Sequence, residues 1–339
     1  MATPSAAWCC LAFAWIALPA GAAERLYVSN EDDGTVTVID ADRSATLATI
    51  AAGTRPRGLA LSPEGARLYV AVSGLPKCPP PIPDEECAKL PRDRDADGIA
   101  IIDTRTLART RVITGVSDPE RVAVSRDGRR LFVSEEDSAR LAVLDVRGGR
   151  VLATAPVGRE PEGVRVSPDG RWVLVTSEEE NLVTIVDAKS YRVVGKASVG
   201  KRPRDIGVTP DSRFAYVSGE ADASVYRIAL PSGAPALRFL ELHTGARPMG
   251  VALDARRRAL YVSTGRAGTI AAIALADAHL LGEADCGGRP WGIALGSDGT
   301  RLYSADGPAG EVAVVDTATM AVIRKIAAGK GPWAVVVGP

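Results

Sequence analysis

Histidine is almost absent from this chain, with His243 and His279 the only two among 339 residues. No Ser, His and Asp spacing can be drawn from so few. A nucleophile-elbow Gly-x-Ser-x-Gly, a phosphate-cradling glycine loop and a Cys-x-x-Cys-His haem-attachment motif are missing as well. Neither sign of charge is in excess, because 41 basic and 41 acidic residues cancel. That balance argues against nucleic acid as a partner, since its binding rests on a basic surface that neutralises phosphates. Helix-period segments are lacking, and beyond residue 23 no apolar run is long enough to span a bilayer.

Cysteine is sparse, at five. Cys9 and Cys10 fall within residues 1–23, which carry no charged side chain, run apolar from Trp8 to Leu18 and end in Ala20, Gly21, Ala22 and Ala23. This segment reads as a secretory signal cut after Ala22 or Ala23, with an uncleaved anchor as the alternative, and the mature chain is expected in the periplasm or outside the cell. In that oxidising compartment Cys78 and Cys87 are expected to pair across a proline-rich loop, half a zinc site being the competing reading. Cys286 reads as a small buried strand residue.

What is abundant is repetition. A Gly, two or three residues and then Pro recur, with prolines at Pro56, Pro119, Pro161, Pro203, Pro248, Pro290 and Pro332. A second marker runs through Tyr27, Tyr69, Phe132, Leu174, Tyr216, Tyr261 and Tyr303. Both markers count seven copies, spaced mostly by 42 residues with one interval of 63, and such a period belongs to blade-type repeats. Each copy is strand-like, with turn chemistry such as Asp33-Gly34 or Ser62-Pro63-Glu64-Gly65 between β-branched and aromatic runs. Four short strands per copy predict an all-β, seven-bladed propeller of antiparallel blades over residues 24–339 as a single, monomeric domain. The chain opens on the second strand of a blade and closes on a first-strand pattern at Trp333–Val337, so the carboxy-terminal strand should complete the amino-terminal blade.

The motifs Tyr27-Val28-Ser29-Asn30-Glu31, Val36-Thr37-Val38-Ile39-Asp40, Arg55-Pro56-Arg57-Gly58 and Ser167-Pro168-Asp169-Gly170 resemble the YVTN-repeat propeller family over nearly all of the mature chain. Together with Glu160-Pro161-Glu162-Gly163, they are most similar to the exported propellers associated with pyrroloquinoline-quinone-dependent alcohol catabolism. The resemblance implies a place beside a periplasmic quinoprotein dehydrogenase or its cytochrome, without an established activity for that branch. The sequence departs from the pattern where Ala229 and Ala274 replace the aspartate matching Asp40, and in 21 extra residues around 73–96. The tryptophan-docking repeats and adjacent-cysteine pair of the quinoprotein dehydrogenases are absent, so quinone binding is not implied.

In an up-and-down blade, the loop into the first strand and the turn between the second and third emerge on one face. The residues following the repeat prolines there are Arg57, Glu120, Glu162, Arg204, Met249, Trp291 and Trp333, and a second circle holds Glu31, Glu136, Glu178 and Glu220. Around a channel mouth they would form a funnel with acidic, basic and aromatic sectors, suited to an amphipathic or zwitterionic ligand or to a partner surface. The bland alternative is a ring of ion pairs between blades. The 21 extra residues emerge on the same face, as a lid or as a tolerated surface insertion. At their end Asp93, Asp95 and Asp97, followed by Gly98, match the opening of a calcium loop, although Thr104 stands where a bidentate glutamate belongs and ordinary turn usage, with Asp97-Gly98 aligned to the Asp33-Gly34 hairpin, accounts for much of the match.

These features point first to an exported binding or accessory propeller, with calcium its one candidate cofactor. The rival reading is a lactonase-like hydrolase or a lyase that uses paired carboxylates of the same face. An envelope scaffold with a closed funnel is the third.

Overall fold

The computed structural model describes residues 24–77, 86, 89–232 and 236–339. The expected signal segment and the Cys78–Cys87 pair lie outside the described residues. Seven four-stranded antiparallel sheets follow one another along the chain. Their innermost strands are Pro332–Gly338, Leu59–Leu61, Pro119–Val124, Pro161–Val166, Pro203–Val208, Val251–Asp254 and Pro290–Leu295, for blades 1 to 7 in that order. The three remaining strands of blade 1 are Arg25–Asn30, Thr35–Asp40 and Ala45–Ala51, so the last strand of the chain completes the first blade as its sequence pattern predicts.

Closure is a full ladder. Arg25 pairs with Gly338 and Val28 with Val335, antiparallel. Two side-chain bonds reinforce it: the Tyr27 hydroxyl donates to the Pro339 carbonyl at 3.1 Å, and the Tyr303 hydroxyl of blade 7 donates to Glu24 at 2.8 Å. No sheet edge is left open along the seam, which removes the template for edge pairing.

The second marker lies on the second strand of each blade, and all seven of its residues are buried. Side chains from adjoining blades interdigitate there. Tyr27, Val36 and Val38 of blade 1 share one apolar cluster with Leu68, Val70 and Ile102 of blade 2, and the same face-to-face packing repeats around the ring. The Asp40-type residues have a local task. Asp40, Asp103, Asp187 and Asp316 accept backbone N–H groups two and three residues ahead, closing the turn before the outer strand. Those bonds hold the carboxyls below their ordinary range. Asp at this position is thus a turn device, and Ala229 and Ala274 forgo both of these side-chain bonds while their blades keep four strands.

The inner strands carry the features that shape the channel. In blades 1, 3, 4, 5 and 7 the register against the second strand shifts just after the repeat proline, and such a bulge re-aims a side chain. Inner strands also approach one another closely. A Cβ on Gly58 would come 2.6 Å from the Arg121 Cα, and one on Gly250 2.5 Å from the Trp291 carbonyl oxygen. Only glycine permits the backbone bonds made there, Gly58 N–H to Glu120 O at 3.0 Å and Gly250 N–H to Trp291 O at 3.2 Å.

Candidate functional site

The residue after each repeat proline lines the channel mouth, and in five blades its carbonyl is held from the preceding blade. Hydroxyls of Ser29, Ser134, Thr176, Ser218 and Ser263 donate to the carbonyls of Arg57, Glu162, Arg204, Met249 and Trp291. These hydroxyls sit two residues beyond the Tyr27-type marker, so the serine of the Tyr-Val-Ser motif aims the neighbouring blade's channel residue.

A cavity of about 450 Å³ opens at this face. Its lining includes Arg57, Glu120, Glu162, Arg204, Met249, Trp291 and Trp333 from the post-proline circle and Glu31, Glu136 and Glu178 from the second circle. Glu220 stands behind them, bonded to Arg204 at 2.7 Å. All eleven residues expected on the face are thereby brought to one mouth or its immediate rim.

The acidic and basic members are not separate sectors. Arg57, only 4% exposed, is surrounded by Asp118 at 2.6 Å, Glu136 at 3.1 Å and Glu120. Arg204 reaches Glu178 at 2.6 Å, Glu220 at 2.7 Å and Glu162. Each arginine therefore serves three carboxylates, and half of the funnel is the ion-pair ring of the bland reading. Burial divides the carboxyls between two protonation states. Burial pushes Glu178 up to about 9, its neighbour Glu162 adding and Arg204 and Arg202 opposing. Glu136 is raised to about 7 by burial, against the Arg57 charge. Glu120 is also raised, burial again outweighing Arg57. For Glu162 and Glu220 burial acts in the same direction, but Arg204 overrides it and keeps both low.

The opposite wall is aromatic. Trp291 and Trp333 meet edge to face, with ring centroids 6.5 Å apart. Arg289 lies over Trp291 at 5.0 Å and Arg121 over Trp333 at 4.9 Å. Arg121 also pairs with the buried Asp205 at 3.5 Å and lines both this cavity and another, of about 370 Å³, at the far end of the channel. It therefore forms the waist between the two mouths.

Several of these residues escape a reading of the sequence by the post-proline column. The position before each repeat proline forms a further circle: Arg55, Asp118, Glu160, Arg202, Arg247, Arg289 and Gly331. Arg55, Asp118, Glu160 and Arg202 take positive φ, a conformation that non-glycine residues adopt at a cost of about 1–3 kcal/mol. Arg55 bonds Glu31 at 2.8 Å and the Leu75 carbonyl at 2.8 Å. The column recurs as regularly as the prolines and was the available signal.

The start of the insertion reaches the rim, where Lys77 pairs with Asp32 at 2.6 Å and with Glu31 at 3.1 Å. The candidate calcium residues do not converge. Asp93 accepts the Asp95 N–H at 3.2 Å, while the two Asp97 oxygens accept the N–H groups of Gly74 at 2.8 Å and Asp118 at 3.1 Å. Among the described residues no group of three or more His, Cys, Asp or Glu is placed to hold a metal ion. His243 and His279 pair with Glu283 and Asp277 away from the funnel. Cys286 is free and buried, its thiol pushed up to about 12 by burial.

The chain is a seven-bladed β-propeller with a polar, tryptophan-walled funnel. Residues 92–229, less than half of the chain, match the family described as Cytochrome D1 heme domain. The funnel as described does not fit a haem, because among the described residues no histidine or cysteine lines it and Met249 supplies its only sulfur. No curated protein matches the chain. Solved structures share the fold. Hydrazine synthase of Kuenenia stuttgartiensis is 20% identical, with a TM-score of 0.73 over 87% of this chain and 93% of that one. A protein of unknown function from Desulfotomaculum acetoxidans is 14% identical, with a TM-score of 0.76 over 93% and 98%. A protein from Bacteroides fragilis, provisionally assigned as a 6-phosphogluconolactonase, is 15% identical, with a TM-score of 0.74 over 95% and 100%.

Proposed function

We propose that this chain is an exported binding propeller of the YVTN type, an accessory to quinone-dependent alcohol oxidation, that engages its partner or ligand through the tryptophan wall of the funnel. One observation carries the binding reading. Among the described residues every carboxylate lining the funnel except Glu160 is paired with an arginine, whereas Trp291 and Trp333 are only half-buried and the buried Trp291 Nε1 has no hydrogen-bond partner. Half-buried tryptophans beside arginine are the side chains that carry most of the energy at binding surfaces. The pathway rests on the sequence resemblance. Affinity capture from periplasmic extract of alcohol-grown cells tests both. The wild type is expected to recover a quinoprotein dehydrogenase or its cytochrome, and a Trp291→Ala/Trp333→Ala variant of unchanged thermal unfolding is expected to lose it. Equal recovery by both would contradict the reading.

A second reading has its own observation. Glu178, kept protonated by burial, lies next to ionised Glu162, and such a pair can act as general acid and base. On that reading the chain is a lactonase-like hydrolase or a lyase. Turnover of a lactone panel that disappears in Glu178→Gln, but survives in the tryptophan double variant, would favour it.

A further inference from the structure

We propose that the funnel holds a built anion subsite at blades 6, 7 and 1, and that its ligand is an organic anion, a carboxylate on a flat apolar body, whose charge meets Arg289 while its body lies against Trp291 and Trp333. The inference rests on the binding reading above and deepens it.

Three columns of the repeat converge on this assignment. The pre-proline circle supplies carboxyls in blades 3 and 4, at Asp118 and Glu160, but arginines in blades 5, 6 and 7, at Arg202, Arg247 and Arg289. The circle that carries Glu31, Glu136, Glu178 and Glu220 elsewhere turns to Gly265 and Gly307 in blades 6 and 7. The post-proline circle is Met249, Trp291 and Trp333 in blades 6, 7 and 1. The arginines of blades 6 and 7 therefore face a wall from which the repeat has withdrawn its acids.

The contacts agree. Arg57 and Arg204 each bind three carboxylates, yet among the described residues Arg247, Arg266 and Arg289 make no ion pair. Arg289 lines the cavity, and its Nε is buried without a hydrogen-bond partner, as is the adjacent Trp291 Nε1. Both are obligatory donors with no acceptor role. Of the acids near it, Glu220 is tied to Arg204 and Arg202, while among the described residues Asp306 accepts the Arg289 backbone N–H through one oxygen at 2.8 Å and makes no ion pair, its other oxygen being buried without a partner. Burial, followed by the like charges of Arg266, Arg204 and Arg247, holds the Arg289 guanidinium below its ordinary range. An incoming anion relieves that repulsion and satisfies two buried donors, while the tryptophan faces stack on its body.

Isothermal titration with 2-naphthoate, compared with neutral 2-naphthol and a naphthyl trimethylammonium cation, is the test. Expected are saturable naphthoate binding that weakens with salt, binding at least about tenfold weaker for the naphthol, and none for the cation. Arg289→Met, which keeps the apolar stem over Trp291, should lose naphthoate binding by a similar factor. Exposed Arg266→Ser, which leaves the packed interior untouched, should lose about two- to threefold through the field alone. The ligand comparison on the wild type needs no variant. Binding of the cation as tight as that of naphthoate, or naphthoate binding unchanged in both arginine variants, would overturn the subsite. Partner capture that depends on Trp291 and Trp333, combined with no naphthoate binding, would overturn this inference alone and leave the binding reading standing.

Discussion

At the scale of single residues, the funnel distinguishes arginines that build the ring from groups that face the solvent-filled mouth. Arg204 belongs to the first kind. Its removal leaves Glu162, Glu178 and Glu220 without their shared counter-charge, and stranded buried charges are expensive. Arg204→Met should therefore lower the unfolding free energy by about 3–5 kcal/mol, as measured by denaturant unfolding; a change under about 1 kcal/mol would show that the ring is not structural. Glu178 gives a pH signature. Its folded carboxyl is raised to about 9, from an ordinary value near 4.5. Below the ordinary value both states hold the proton; between the two, the unfolded chain gives it up while the folded chain keeps it. Stability is thus highest at the acidic end of that window and falls as pH rises towards 9. Glu178→Gln, which fixes the protonated shape, should flatten the fall in thermal midpoint between pH 6 and pH 9. An unchanged slope would place the raised carboxyl elsewhere.

At the scale of elements, the inner strands and the closing strand decide whether a ring forms. Gly250→Ala forces a methyl against the Trp291 carbonyl, and overpacking of this kind costs about 1–3 kcal/mol. Deleting residues 332–339 removes Val335, which is buried, together with the partner of Arg25–Asn30. The truncated protein should lose at least about 3 kcal/mol from apolar burial alone and unfold with reduced cooperativity; unchanged unfolding would contradict closure by this strand. The elements were legible in the sequence for a physical reason. Turn glycines, repeat prolines and the buried Tyr27-type residue each answer a constraint that recurs in every blade, so their spacing shows the blade count directly. The post-proline circle was legible on the same grounds, because the residue after every repeat proline lines the mouth, re-aimed by a bulge in five of the seven blades. What spacing could not give was charge pairing. Whether Arg57 faces a ligand or Asp118, Glu120 and Glu136 depends on distances across blades, and the separate basic sector expected from the sequence dissolves into shared ion pairs once those distances are known.

At the scale of the whole molecule, the ring places unlike surfaces on opposite sides of one mouth. Blades 2 to 5 contribute interlocked acids and arginines that hold the rim together. Blades 6, 7 and 1 contribute Met249, Trp291 and Trp333, beside Arg247 and Arg289, which make no ion pair among the described residues, and Arg121, which is paired with Asp205. Among the described residues all the carboxylates lining the mouth except Glu160 are paired with an arginine, which leaves the unpartnered donors on the aromatic side. The central claim is therefore that the working surface is the aromatic side of the funnel, while the outer strands of the blades are packing and solvent surface. Photo-crosslinking in living cells tests it most directly, with p-benzoylphenylalanine placed either at Met249, on the funnel wall, or at Leu152, exposed on an outer strand of blade 3. Irradiation should yield a covalent adduct, read by mass spectrometry, from position 249 and none from position 152; an adduct from 152 with none from 249 would contradict the account.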